Sequence, residues 1–389
     1  MARKARTAQT GGDNMKIAII TNSRIPSLTA NSTQAMKMCD ALTQLGNELC
    51  VFAPAETQPV PWDDLARHYG LKNPFEIKRL PSYRPFKRFD FVWYAQSAAQ
   101  KFKADLIYTW LPQSAVLGLR GRFPVVLEMH ANTAGHLGAW WLRQFWKWKG
   151  HKRLLVTTQA LRKTLERSTG QSFPDEAVQV APNGVDLERY EKLPDAADAR
   201  RQLNIKEGLS AGFTGHFYAG RGMDLLFELA RELPHVNFIW AGGTPEAVAE
   251  WRLKLNSVRA SNVTLPGFIE NSRLPLYQAA ADILLMPYGS SVSASSGQDI
   301  AEVINPMKMF EYMAAGRAII TADLPVIREV LDETRAVFCP PGDAAAWKSA
   351  IESLLTDGKR REALASNARR ECEKYTWLVR AQHALHGME

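Results

Sequence analysis

The chain has 389 residues, 46% hydrophobic and 23% charged, which is enough for two domains with separate cores and excludes a disordered chain. No apolar run approaches the roughly 18 residues that cross a bilayer, and four scattered cysteines without a Cys-x-x-Cys pair argue for a reducing cytosol rather than a disulfide framework or zinc site. The net charge of +8 comes with no recognised nucleic-acid module, so nucleic acid is not expected as a partner.

Residues 1–14 are polar and basic, lack the apolar stretch of a secretory signal, and are expected to form a disordered tail ahead of Met15. Strands are expected at 17–20, 48–52, 105–108, 125–128 and 154–157. A helix over 32–45 turns Ala35, Met38, Cys39 and Leu42 to one face and stops at Gly46. The charged stretch 187–200 reads as a linker. A second set of strands follows at 209–214, 236–240, 262–265, 283–286, 318–321 and 336–339, then a helical stretch at 358–385. This alternation implies parallel α/β sheets, hence two Rossmann-like domains facing across a cleft. Ligands in such folds bind beyond the carboxyl ends of the strands.

The charge is uneven. Residues 84–153 hold twelve Lys/Arg against three Asp/Glu, and six of the eleven tryptophans. Within them, 136–153 combines Trp140, Trp141, Trp146 and Trp148 with Arg143, Lys147, Lys149, Lys152 and Arg153. Two readings stay open: a membrane-surface helix facing anionic headgroups, or a core helix with a basic outer face.

Three further places have chemical potential. Residues 305–316 (NPMKMFEYMAAG) read as a helix with Asn305 as N-cap and Pro306 in the first turn. The free N–H groups of Met307 and Lys308 would then face a phosphate, and Glu311, one turn on, a sugar hydroxyl. The alternative is an ordinary capped core helix. Residues 215–222 (GHFYAGRG) lie between a strand and a helix; Gly215 and Gly222 let backbone approach a diphosphate, and Arg221 can pair with it through two hydrogen bonds. The alternative is a glycine turn with a surface arginine. His130 ends a strand where loops face the cleft, as either a structural or an active-site histidine. No Asp-x-Asp pair stands at a strand end, so neither a metal nor another cofactor is implied.

Segments 30–42, 180–186, 215–226, 281–287 and 305–331 together resemble, in order, the GT-B glycosyltransferases of family 4, retaining enzymes that use nucleotide sugars. The resemblance covers nearly everything from Met15 onward. It implies an acceptor domain over 15–187, a donor domain over 188–365, and a terminal helix over 366–389 returning to the first domain. It places His130 as the active-site histidine, Glu311 on the nucleotide ribose, and His216 and Arg221 where relatives carry Arg and Lys. Val303 occupies the position of a companion acid, leaving Asp299 or Glu302 to reach the donor sugar. Asn31 and Ser32 stand where relatives have a glycine pair near the diphosphate and acceptor, with helix capping as their alternative role.

The implied function is a hexosyltransferase of the cytoplasm, peripheral on the inner membrane face. It would move sugar from a nucleotide-diphosphate donor to a glycan or lipid-linked acceptor in polysaccharide or glycolipid synthesis. A catalytically silent GT-B partner protein and a sugar-nucleotide epimerase are the alternatives.

Overall fold

In a computed structural model, the structure describes residues 14–83, 89–133, 135–293 and 299–388. The expected tail up to residue 13, the basic Arg84, Lys87 and Arg88, and part of the polar loop before Asp299 lie outside them.

Two parallel sheets form. The first contains β1 (Lys16–Ile20), β2 (Glu48–Pro54), β3 (Glu76–Leu80), β4 (Leu106–Thr109), β5 (Val125–Met129), β6 (Lys152–Val156) and β7 (Val178–Val180) in the order β3-β2-β1-β4-β5-β6-β7. The second contains β8 (Ser210–Thr214), β9 (Asn237–Ala241), β10 (Val263–Gly267), β11 (Ile283–Met286), β12 (Ala318–Ala322) and β13 (Ala336–Cys339) in the order β10-β9-β8-β11-β12-β13. Helices cover both faces, so central strands such as β8, β9 and β12 are buried along their whole length and read as apolar runs. The strand order reverses beside β1 and beside β8, which puts the loops after those two strands at the switch points where α/β sheets bind ligands.

Two strands were not anticipated, β3 and β7. Both are sheet edges: β3 carries Glu76, Lys78 and Arg79 on a half-exposed ribbon, and β7 has only three residues. Charge on an edge discourages pairing with other chains and at the same time erases the apolar signal.

The expected helical stretch 358–385 is broken in two. Gly358–Glu371 packs on the second sheet, and Trp377–Leu385 packs on the helix Ala30–Gln44 of the first domain. The crossing therefore lies after Glu371, not at 366. The segment 182–186 (PNGVD) knits it. Val185 pairs with Thr376, its N–H donating to the Tyr375 carbonyl at 2.9 Å, while Asp186 accepts from the buried Lys37 at 2.5 Å. All four cysteines are buried, and burial pushes the Cys339 thiol up to about 11 and Cys372 up to about 12, which leaves neither as a nucleophile at neutral pH.

Gly184 is the tightest point of this crossing, because a Cβ there would lie 2.7 Å from the Trp377 backbone nitrogen. Backbone cannot swing aside as a side chain can. Gly184→Ala is expected to destabilise the protein by about 1–3 kcal/mol, as overpacking generally does. A lowered unfolding midpoint in urea is the readout, and a wild-type midpoint contradicts the assignment.

Candidate active site in the interdomain cleft

The first domain contributes a carboxylate that the strand pattern would not tolerate alone. Glu128 sits in β5 (VVLEM), fully buried. A charge there requires partners. Arg380, from the terminal helix, donates Nη2 to Oε1 at 2.6 Å and Nη1 to Oε2 at 3.2 Å. Gln34 Nε2 donates to Oε1 at 2.6 Å, and the Tyr108 hydroxyl donates to Oε2. The His130 imidazole meets Oε1 through Nε2. Burial alone would push the Glu128 carboxyl up, but Arg380 and His130 outweigh it and hold it well below the usual carboxylate range. His130 itself is partly exposed, at the carboxyl end of β5. Sequence reasoning singled out His130 and missed its partners. A glutamate inside an apolar strand was the available signal; nothing local pointed to Arg380.

The second domain contributes cations. The helix Met223–Glu232 starts at Gly222, whose φ of +83° is left-handed and whose Cβ would collide with the Pro287 carbonyl. Beside it Arg221 donates Nη1 to the Tyr288 hydroxyl at 3.1 Å, with its guanidinium 5.2 Å from that ring's centroid. Lys308 reaches the same place from the helix Met307–Ala315. Its Nζ lies 3.9 Å from the Phe213 ring centroid and 5.6 Å from that of Tyr288. A Cβ on Gly215 would sit 2.8 Å from that nitrogen, and the φ of +138° there, which L side chains rarely adopt, explains the glycine. Neither Arg221 nor Lys308 has a carboxylate partner among the described residues. Burial, and then the like charge of Arg221, push the Lys308 ammonium well below its ordinary range, with Glu311 opposing them.

His216 does not add a third charge. Burial lowers its imidazole, and Lys308 and Arg221 lower it further against a bond to the Leu28 carbonyl. That bond, 3.1 Å from Nε2, crosses from the second domain to the loop after β1, and the ring stacks on Tyr218.

The helix Met307–Ala315 differs from its expected start. Pro306 is the N-cap, with φ −77° and ψ 129°, and Asn305 does not cap it. Its amide is engaged elsewhere: Asn183 N–H donates to Asn305 Oδ1 at 2.7 Å, and Asn183 Nδ2 donates to the Asn305 carbonyl at 2.6 Å. Met307 packs against the core of the first domain. Glu311, one turn on, is half-buried and accepts from Gln278 Nε2 at 3.1 Å; burial raises its carboxyl against the pull of Arg189.

The remaining candidates are placed less centrally. Asp299 Oδ1 accepts from the Ala301 and Val292 N–H groups at 3.0 and 2.9 Å, which hold its carboxyl below the usual range and commit it to its own loop. Glu302 is exposed. Val303 is buried in the apolar core of the first domain, so its position forms an interdomain contact where an acid was expected. Asn31 is exposed, whereas Ser32 is buried and bonds the Arg24 carbonyl and the Tyr69 hydroxyl. Neither caps the helix Ala30–Gln44; Thr29 does, accepting from Ser32 N–H.

The tryptophan helix spans Gly135–Lys147 and ends short of the expected 153. Lys152 terminates it by donating Nζ to the Phe145 and Trp146 carbonyls at 2.9 and 3.0 Å. The helix buries Ala139, Leu142 and Phe145 in the core and leaves its other face outward. Trp141 and Trp146 are half-buried and pack on Phe89 and Phe173, whereas Trp140 (44%) and Trp148 (39%) are exposed, as is Trp93 (70%) on the helix Phe89–Phe102.

Residues 32–189 match the Glycosyltransferase Family 4 model, and residues 209–357 match the Glycosyl transferases group 1 model. The chain is 29% identical over 237 residues to a D-inositol 3-phosphate glycosyltransferase of Xylanimonas cellulosilytica, over 58% of this chain and 53% of that protein. It is 25% identical over 290 residues to a GDP-mannose-dependent alpha-(1-6)-phosphatidylinositol monomannoside mannosyltransferase of Mycolicibacterium smegmatis, over 71% and 74% of the two chains. The match thus spans about half the length of the first of these relatives. The fold is similar to that of Anabaena Alr3699/HepE, solved in complex with UDP, at a TM-score of 0.74 and 18% identity, covering 96% of this chain and 99% of the other. Two facing Rossmann-like domains, and two family matches that together take in most of the chain, identify it as a member of the GT-B glycosyltransferases of family 4.

Proposed function

We propose that the protein transfers a sugar, with retention of configuration, from a nucleoside-diphosphate sugar to a hydroxyl of a glycan or lipid-linked glycan. One observation carries this reading. Arg221 and Lys308, two cations with no carboxylate partner among the described residues, meet beside a glycine loop and the start of a helix. Backbone donors, helix dipole and paired cations are what a diphosphate requires. Charge grows on the diphosphate as the glycosidic bond breaks, so the same groups would stabilise the transition state without a metal. Glu311 would hold the ribose and His130 would act on the transferring sugar from across the cleft. The UDP bound by the Anabaena neighbour and the inositol-based acceptors in the relatives' names support the substrate classes.

Val303, apolar where relatives carry an acid, favours a second reading as a catalytically silent partner protein. A panel of nucleotide sugars, assayed for nucleotide release with and without glycolipid acceptors, separates the two. Release with at least one donor is expected, and none with any donor rejects transfer. In parallel, Arg221→Ala should weaken nucleoside-diphosphate binding by about 2–3 kcal/mol, roughly 30- to 150-fold in Kd. Unchanged affinity by calorimetry removes Arg221 from the site.

Lys308 gives a pH signature. Its proton affinity is depressed in the free protein, and a bound diphosphate restores it. Above the depressed value the free ammonium has lost its proton, so binding takes one up; affinity is full at lower pH and falls as pH rises through that value. Calorimetry in buffers of differing ionisation enthalpy, run across a pH series, should show net proton uptake with UDP or GDP beginning below the ordinary lysine range. Lys308→Met should abolish it, and the absence of uptake in the unaltered protein contradicts the placement.

We further propose that the exposed tryptophans and surrounding cations hold the protein on an anionic bilayer. No helix among the described residues is long and apolar enough to cross one. Each cation near such a surface contributes about 1 kcal/mol, screened by salt, whereas inserted tryptophan resists salt. Sedimentation with anionic vesicles should show binding that weakens without vanishing as salt rises. Replacing exposed Trp140 and Trp148 by Ser should remove the salt-resistant part, and no binding at low salt rejects the membrane role.

A further inference from the structure

The buried cluster around Glu128 fixes more than the position of His130. Glu128 Oε1 faces His130 Nε2 and also accepts from Arg380 Nη2 and Gln34 Nε2; Oε2 accepts from Arg380 Nη1 and the Tyr108 hydroxyl. A carboxylate held by two guanidinium bonds is ionised, and an ionised carboxylate only accepts. The hydrogen between Oε1 and Nε2 therefore belongs to the imidazole. In the neutral ring that leaves Nδ1 as a bare lone pair, and Nδ1 has no hydrogen-bond partner among the described residues.

We infer that Glu128 and Arg380 are positioning residues that hold His130 as the Nε2–H tautomer and present Nδ1 to the cleft as a hydrogen-bond acceptor for a sugar hydroxyl. The inference rests on the reading of His130 as a group that touches the transferring sugar. Its reach is long. Arg380 belongs to the terminal helix, is 252 residues from Glu128 in sequence, and is itself anchored by its Nε on the Pro182 carbonyl at 2.9 Å. The end of the chain thus sets the ring that faces the sugar. Because Arg380 balances the carboxylate, Glu128 orients the ring and takes no proton from it.

Ring nitrogens of ¹⁵N-histidine-labelled protein, read by long-range proton–nitrogen correlation, test the tautomer without any variant. Nε2–H at His130 is expected. A ring protonated on Nδ1, or an even mixture of tautomers, overturns the inference. The variant Glu128→Leu with Arg380→Met removes the acceptor opposite Nε2 together with the guanidinium that would otherwise be unbalanced. It should release the ring from the Nε2–H tautomer and lower kcat about tenfold, as loss of a hydrogen bond made to the reacting sugar does, with nucleotide affinity unchanged. A folded variant with wild-type ring spectrum and wild-type kcat also overturns it. His130→Ala separates the two readings: wild-type turnover there rejects the role of His130 on the sugar, while the ring spectrum still decides the positioning.

Discussion

The buried pair of Glu128 and Arg380 is the interaction on which the cleft depends. It joins the centre of the first sheet to a helix that arrives only after the chain has built the second domain. Replacing such a pair with well-packed apolar groups is often neutral, but removing one partner strands a charge and typically costs about 3–5 kcal/mol. The pair is therefore poor evidence of stability, while its geometry ties the terminal helix to β5. It couples the order of the histidine to the return of the chain, through a carboxylate that four side chains share.

Around that anchor the domains meet by small, directional contacts. Asn183 holds Asn305, His216 reaches the Leu28 carbonyl, and Glu329 accepts from the Gln159 and Ala160 N–H groups at 2.7 and 3.0 Å. Val303 adds an apolar contact by packing into the core of the first domain. On the side of the second domain the field is cationic. Lys308 lies beside the rings of Phe213 and Tyr288 and Arg221 beside Tyr288, neither with a carboxylate partner among the described residues, so the burial of Lys308 carries an electrostatic cost that an anionic ligand relieves.

Much of this was legible in the sequence. Central strands announce themselves because helices bury both faces, and the glycines of 215–222 announce a close backbone approach. The edge strand β3 did not, since Glu76, Lys78 and Arg79 break the apolar pattern that burial would impose. The helix Met307–Ala315 was placed one residue early because Asn305 is a good cap by local chemistry, and only the folded chain brings Asn183 to compete for it. Lys308 was read for its backbone N–H, while its ammonium joins Arg221 only through the packing of β8 against the helix. Arg380 was beyond reach for the same reason: its role comes from a contact between distant parts of the chain, and its own helix shows an ordinary amphipathic pattern.

The central claim is that a nucleoside diphosphate sits between the glycine loop and the donor helix. Hydrogen exchange with and without UDP or GDP tests it most directly, because amides that bond phosphate exchange more slowly. Added protection is expected at 215–223 and at 307–309, with the exposed tryptophan helix unchanged. Protection confined to other segments, or none with either nucleotide at saturating concentration, would contradict it.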